Sequence, residues 1–359
     1  MKKIIKRIAA IVFVLAVAVV TVGYAMFRGE LKTLNTVTKI SDYPLYEMTF
    51  QSNYYLEDYM EKGAATDDEL AEFVTRKILK IFPAIEANPD AACSTFSATT
   101  PENEVIMARN FDYTHSTCLI VHTNPDNAYH SVSMVNLCHV GYGDEKQPDS
   151  LGNKIQLLAA PYIVLDGMNE KGLALGVLVV DEQIVHQDTG KTPVTTTAAL
   201  RMILDYCATV EEAIELLQTV DMNSSGSTGY HFQITDATGD SAVIEYIDNE
   251  MQVVRKENQS YLAATNFTLS TAEKNGGGKD RYEIIVNELD RKNGIVTEDE
   301  AFSVLYEARF DGEAASGGDT SYRYYDSKTQ WSVVYNLTQH TMKLCVGLDY
   351  DMVYEFTVE

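Results

Sequence analysis

The chain has 359 residues, 45% of them hydrophobic and 22% charged, with a formal net charge of −24. That length suits one large domain or two ordinary ones. The first 28 residues carry five bases and no acid, so the rest holds 23 bases against 52 acids. So acidic a body argues against nucleic acid as a partner, because its phosphates would be repelled.

"MKKIIKR" forms a basic flank, and residues 8–27, "IAAIVFVLAVAVVTVGYAMF", are an uncharged run of 20. As a helix, such a run spans a hydrocarbon core of about 30 Å. The flank should stay in the cytoplasm and place the body outside it. Residues 1–28 are therefore expected to be a membrane anchor or a signal peptide, with Gly23-Tyr24-Ala25 as a cleavage site in the second case. The five cysteines, Cys93, Cys118, Cys138, Cys207 and Cys345, show no disulfide framework and no C-x-x-C spacing for zinc. No cofactor or metal is expected.

Residues 29–92 read as a separate, helical segment. "NYYLEDYMEKG" (53–63) is a short amphipathic helix ended by Gly63. "TDDELAEFVTRKILKIF" (66–82) has Thr66 and Glu69 as a capping box. Leu70, Phe73, Val74, Ile78 and Ile81 form its apolar face, and Pro83 stops it. From Cys93 onward short strands dominate. Residues 157–180 read as a buried segment, a turn at Asn169–Gly172 and a buried strand. Two helices follow in 195–220, then a three-stranded meander from 230 to about 256. Two more helices (280–291 and 298–308) precede a tail of strands. Strands, helix pair, strands, helix pair, strands is the order of an α+β domain. A four-layer α-β-β-α sandwich fits it, as do other α+β arrangements.

"AACSTFSATTPENEVIMARNFDY" (91–113) reads as a hairpin. A turn centred near residues 101–102 sets Cys93 opposite Asn110 or Phe111, with Arg109 and Asp112 on either side. Residues three apart point to opposite faces of a regular strand. Both could reach Cys93 only if the strand ended or bent near Asn110. A thiol beside a guanidinium can be activated as thiolate. On these residues alone, a small buried thiol beside a surface Arg–Asp pair is the favoured reading.

The pattern of Cys93, Arg109 and Asp112 resembles the opening of the choloylglycine hydrolase and linear amide C–N hydrolase family. That family includes bile salt hydrolases, penicillin V acylases and acid-ceramidase-like enzymes. "DGMNEKGL" (166–173), "ATNF" (264–267) and "DRYEI" (280–284) match later blocks, and bring in Asn266 and Arg281. The resemblance implies an N-terminal-nucleophile fold, the four-layer α-β-β-α sandwich, over 93–359. It also implies self-cleavage between Ala92 and Cys93, which makes 29–92 a propeptide. The freed amine of Cys93 would then serve as base and Cys93 as nucleophile. Arg109 would favour the thiolate, Asp112 would orient the amine, Asn266 would donate to the oxyanion, and Arg281 would support the network. Where bile salt hydrolases have a second oxyanion-hole asparagine, this chain has Val179.

The expected activity is hydrolysis of a linear, non-peptide amide joining an acyl group to a small amine or amino acid. Acyl transfer at the same site, or a catalytically impaired binding protein on this scaffold, are the alternatives. Substrate identity and oligomeric state, including a homo-oligomer, stay open at this point.

Overall fold

Two large sheets, a two-stranded parallel pair and covering helices make up the described residues of a computed structural model, which are 23–79, 92–180, 184–257, 259–274, 276–311 and 327–358, with residues 13, 17 and 21. The apolar run 8–27 falls largely outside them. Among the described residues no helix is long and apolar enough to cross a membrane.

The N-terminal part runs α1 (Arg28–Thr36), β1 (Thr38–Ser41), β2 (Leu45–Phe50), α2 (Leu56–Lys62) and α3 (Asp67–Val74). A π-helical turn, Thr75–Leu79, continues α3. Next come β3 (Ala92–Thr99), β4 (Val105–Tyr113), β5 (Cys118–Thr123), β6 (Ser131–Asn136) and the short α4 (Leu151–Lys154). The hairpin β7 (Asp166–Asn169) and β8 (Ala174–Val179) leads through β9 (Thr192–Thr195) to α5 (Thr196–Tyr206) and α6 (Val210–Gln218). β10 (Val220–Asn223) is followed by the meander β11 (Tyr230–Thr235), β12 (Ser241–Ile247) and β13 (Glu250–Arg255), then β14 (Leu262–Ala264). Helices α7 (Lys279–Arg291) and α8 (Glu298–Glu307) precede β15 (Lys328–Asn336), β16 (Thr341–Val346) and β17 (Tyr354–Thr357).

The larger sheet has nine strands in the order β1-β2-β5-β6-β7-β8-β11-β12-β13; the smaller has six, β14-β3-β4-β15-β16-β17. They face each other, with β3 meeting β8 and β11 across the gap. Helices α7 and α8 cover the outer face of the smaller sheet, where Ile285, Leu289 and Leu305 pack on Phe96, Ile106 and Ala108. Helix α5, with α6 beside it, lies against β7 and β8 of the larger one. The layers are thus helices, sheet, sheet, helices. Strands covered on both faces bury every side chain, as β6, β8 and β11 do. This explains why "ALGVLV" is a continuous apolar run rather than an alternating one.

The caps behave as their residue types dictate. Thr66, Thr209 and Thr297 each accept a bond from the backbone N–H three residues on, and Thr297 with Glu300 forms a full capping box. Gly63 ends α2 at φ +72°, where a Cβ would strike the Pro193 carbonyl.

One expectation needs correcting. The segment 29–92 is not purely helical: β1 and β2 extend the larger sheet, with β2 pairing parallel to β5 over Leu45–Phe50. Leu45, Met48 and Phe50 are buried there. The strand is short and its apolar positions suit several elements, so periodicity alone did not identify it. Pro83 and the rest of 80–91 lie outside the described residues.

Candidate active site

Strand β3 pairs with β4 in the register the turn requires, Cys93 opposite Phe111. Strand β15 lies on the other side of β4, with a bulge between Thr329 and Trp331 opposite Asp112 and Phe111. Cys93 sits near the open end of β3, 1% exposed, with its thiol in the space between the sheets.

Each polar atom of Cys93 is held by a different residue. Arg109 Nη2 donates to Sγ at 3.1 Å. The backbone N–H donates to Asn266 Oδ1 at 2.9 Å. Arg281 Nη1 donates to the carbonyl oxygen at 2.8 Å. Arg281 also donates to Asp112 Oδ2 at 2.9 Å and to Asn266 Oδ1 at 2.7 Å. Asn266 Nδ2 donates to the Val179 carbonyl at 2.8 Å. Cys93, Arg109, Asp112, Asn266 and Arg281 therefore form one connected network, and Val179 enters it through its backbone.

The strand does not bend near Asn110. Arg109 and Asp112 stay on opposite faces of β4, as alternation demands. Arg109 reaches the thiol between the sheets, whereas Asp112 lies on the helix side and meets Cys93 through Arg281. The expectation that both had to converge on one face overlooked a second arginine arriving from α7.

Both arginines need space that glycine supplies. A Cβ on Gly176 would come within 2.6 Å of Arg109 Nη1, and one on Gly278 within 2.5 Å of Arg281 Nη2. Gly278 also has φ +74° at the start of α7. The glycine-rich loop is tied to the site: Gly277 N–H donates to the Asn266 carbonyl at 2.9 Å, and Thr265 Oγ1 donates to the Gly278 carbonyl at 2.9 Å.

Four further residues were not singled out in the sequence. Asp166 Oδ2 lies 3.1 Å from Arg109 Nε. It is fixed by Trp331 Nε1 at 3.2 Å and by the Tyr335 hydroxyl at 2.5 Å. Thr329 donates to Asp112 Oδ1 at 2.6 Å. Asp166 heads the quoted "DGMNEKGL" block, and that was the available signal. The other three lie in an ordinary strand and carry none. Behind Asn266, His231 is buried between the Glu245 carboxylate (3.0 Å) and the Thr265 carbonyl (2.6 Å). Glu245 also accepts from Leu269 N–H and from the N–H and hydroxyl of Ser270. Burial alone would raise its carboxyl, but these donors outweigh that and lower it to about 2.

Burial pushes the Cys93 thiol up to about 11, and Arg109 offsets only part of that. Burial also raises Asp112 and Asp166 above the usual carboxylate range, against the pull of their arginines.

A cavity of about 70 Å³ opens onto Cys93. Phe111, Leu165, Val177 and Val179 line it, as do Leu70, Ala71 and Val74 of α3.

Comparison with known proteins agrees with this architecture. The family profile described as linear amide C–N hydrolases, choloylglycine hydrolase family, matches residues 93–271. A penicillin V acylase of Pectobacterium atrosepticum is 38% identical over 112 residues, which cover 28% of this chain and 29% of that relative's length. Penicillin V acylase from Agrobacterium tumefaciens superposes with a TM-score of 0.52 at 20% identity, over 74% of this chain and 86% of that one. A mutant conjugated bile acid hydrolase from Clostridium perfringens gives 0.53 at 15% identity, over 74% and 92%. These two likenesses show an α+β N-terminal-nucleophile hydrolase fold. The profile match over residues 93–271 places this chain in the linear amide C–N hydrolase, choloylglycine hydrolase family.

Proposed function

We propose that the protein is a cysteine amidase that hydrolyses a linear, non-peptide amide between an acyl group and a small amine or amino acid. The observation that carries this reading is the separate grip on the Sγ, N and O atoms of Cys93 by Arg109, Asn266 and Arg281. A structural thiol needs no such arrangement.

Maturation comes first. The Cys93 thiol attacks the Ala92 carbonyl, its proton passes to the Cys93 nitrogen as the Ala92–Cys93 amide breaks, and water resolves the thioester to free the Ala92 carboxylate. This separates 29–92 from 93–359. The Cys93 nitrogen, formerly an amide, is now an amine with an ordinary pKa of about 7.7–8.0. The contact of this nitrogen with Asn266 Oδ1 would hold it in place as the base. It takes the thiol proton, the thiolate attacks the substrate's acyl carbon, and the proton passes to the leaving amine as the C–N bond breaks. Water then releases the acid from the thioester. Asp112 serves by holding Arg281, and thereby the Cys93 backbone. One N–H of Asn266 Nδ2 is committed to Val179; the other is assigned to the developing oxyanion. The body would act outside the cytoplasm, with the N-terminal apolar run as anchor or signal.

N-terminal sequencing and intact mass of the purified, active protein test this. A chain beginning at Cys93 is expected. Full activity in protein with no Cys93 start would refute the mechanism.

A further inference from the structure

We infer that helix α3 of the N-terminal segment is a lasting wall of the acyl site and restricts the substrate to a short apolar acyl group. The inference rests on the reading of Cys93 as nucleophile and goes further in naming what the pocket holds.

The first support is the way the segment is built in. Strand β2 lies within the larger sheet, flanked by β1 and β5. Tyr59 and Phe73 pack edge-on at 5.3 Å between ring centroids, and both stand against Tyr162 of the body at 5.5 and 6.0 Å. The Tyr54 hydroxyl donates to Asp205 Oδ2 at 2.6 Å, and Tyr162 donates to the Tyr54 carbonyl at 2.8 Å. Cutting after Ala92 breaks none of these contacts. Removing the segment would expose them all, at about 25 cal/mol for each Å² of apolar surface. It should therefore stay bound after the cut.

The second support is position. Leu70, Ala71 and Val74 face the cavity on which Cys93 opens, and Asp67 anchors the start of α3 by accepting from the Gly226 N–H. The helix is thus fixed both by its apolar face and at its end.

The third support is size. An apolar cavity of roughly 150 Å³ accommodates benzene. This one, at about 70 Å³, has space for roughly three carbons on that scale. With α3 in place, the space beside Cys93 is smaller than an aromatic or long-chain acyl group would fill.

The test separates binding from chemistry. Acetate, butyrate, octanoate and dodecanoate are titrated calorimetrically into the full-length Cys93→Ala protein. Hydrolysis of the matching N-acyl glycines is followed with the unsubstituted protein, and co-elution of the two pieces is checked under native conditions. Butyrate should bind and octanoate should not. Val74→Ala should admit longer acids, gaining about fourfold in affinity for each methylene newly buried. Ala71→Leu, with its circular dichroism unchanged, should abolish butyrate binding. Dodecanoate binding as tightly as butyrate, no acid binding at all, or loss of the segment with the acyl preference unaltered would each overturn the inference. Short acids that bind as expected, without hydrolysis by the Cys93 protein, would instead refute the amidase reading and leave the wall in place.

Discussion

Two arginine–carboxylate pairs bracket Cys93 from opposite faces of the smaller sheet, and they are built differently. Arg109 and Asp166 lie between the sheets, both fully buried. Asp166 belongs to the larger sheet, whereas Arg109, Trp331 and Tyr335 belong to the smaller, so this pair fastens the layers together. Arg281 and Asp112 lie on the helix side, where Arg281 comes from the first turn of α7 and retains 8% exposure. The inner pair touches the thiol, and the outer pair touches the backbone of Cys93. The same ion-pair chemistry thus serves cohesion on one face and positioning on the other.

The largest expected effect breaks the inner pair. Asp166→Asn leaves the Arg109 charge buried without its partner and should cost about 3–5 kcal/mol, read as a lower urea midpoint. The outer pair should respond the other way round. Asp112→Asn should leave the urea midpoint within about 1–2 kcal/mol of the original but slow both the appearance of the Cys93 terminus and turnover by about a hundredfold, since Arg281 loses its anchor. Equal stability losses in the two variants would erase the distinction. The smallest effect concerns Thr329, which donates to Asp112 and accepts from the Phe310 N–H at 2.8 Å. Thr329→Val should cost about 1–2 kcal/mol and slow maturation by no more than about tenfold. A larger kinetic loss would mean that Asp112 depends on Thr329 rather than on Arg281.

Much of this was readable in the sequence, and the rest was not for identifiable reasons. The hairpin register followed from Pro101 and its neighbours, because turn chemistry is local. Helix ends followed from Thr66, Gly63 and Thr297 for the same reason. Arg109 and Asp112 could be numbered beforehand, but their sides could not be reconciled. That required Arg281, 169 residues from Asp112 in the chain. Asp166 sat in a quoted block without a partner, since its choice of Arg109 depends on how two sheets face each other. Thr329 reaches Asp112 across 217 residues, which no periodicity can reveal. The apolar face of α3 announced burial without saying that Cys93 lay beneath it.

The parallel pairing of β2 with β5 has a consequence for how the molecule can be made. As one continuous chain, the N-terminal strands meet their sheet by an intramolecular search. If the bond before Cys93 is cut as proposed, the same pairing becomes an association between two polypeptides and obeys mass action. The precursor should refold at any dilution, whereas the matured protein, once denatured, should recover its fold only in proportion to the concentration of both pieces. Cleavage would then make folding a step that dilute protein completes only once.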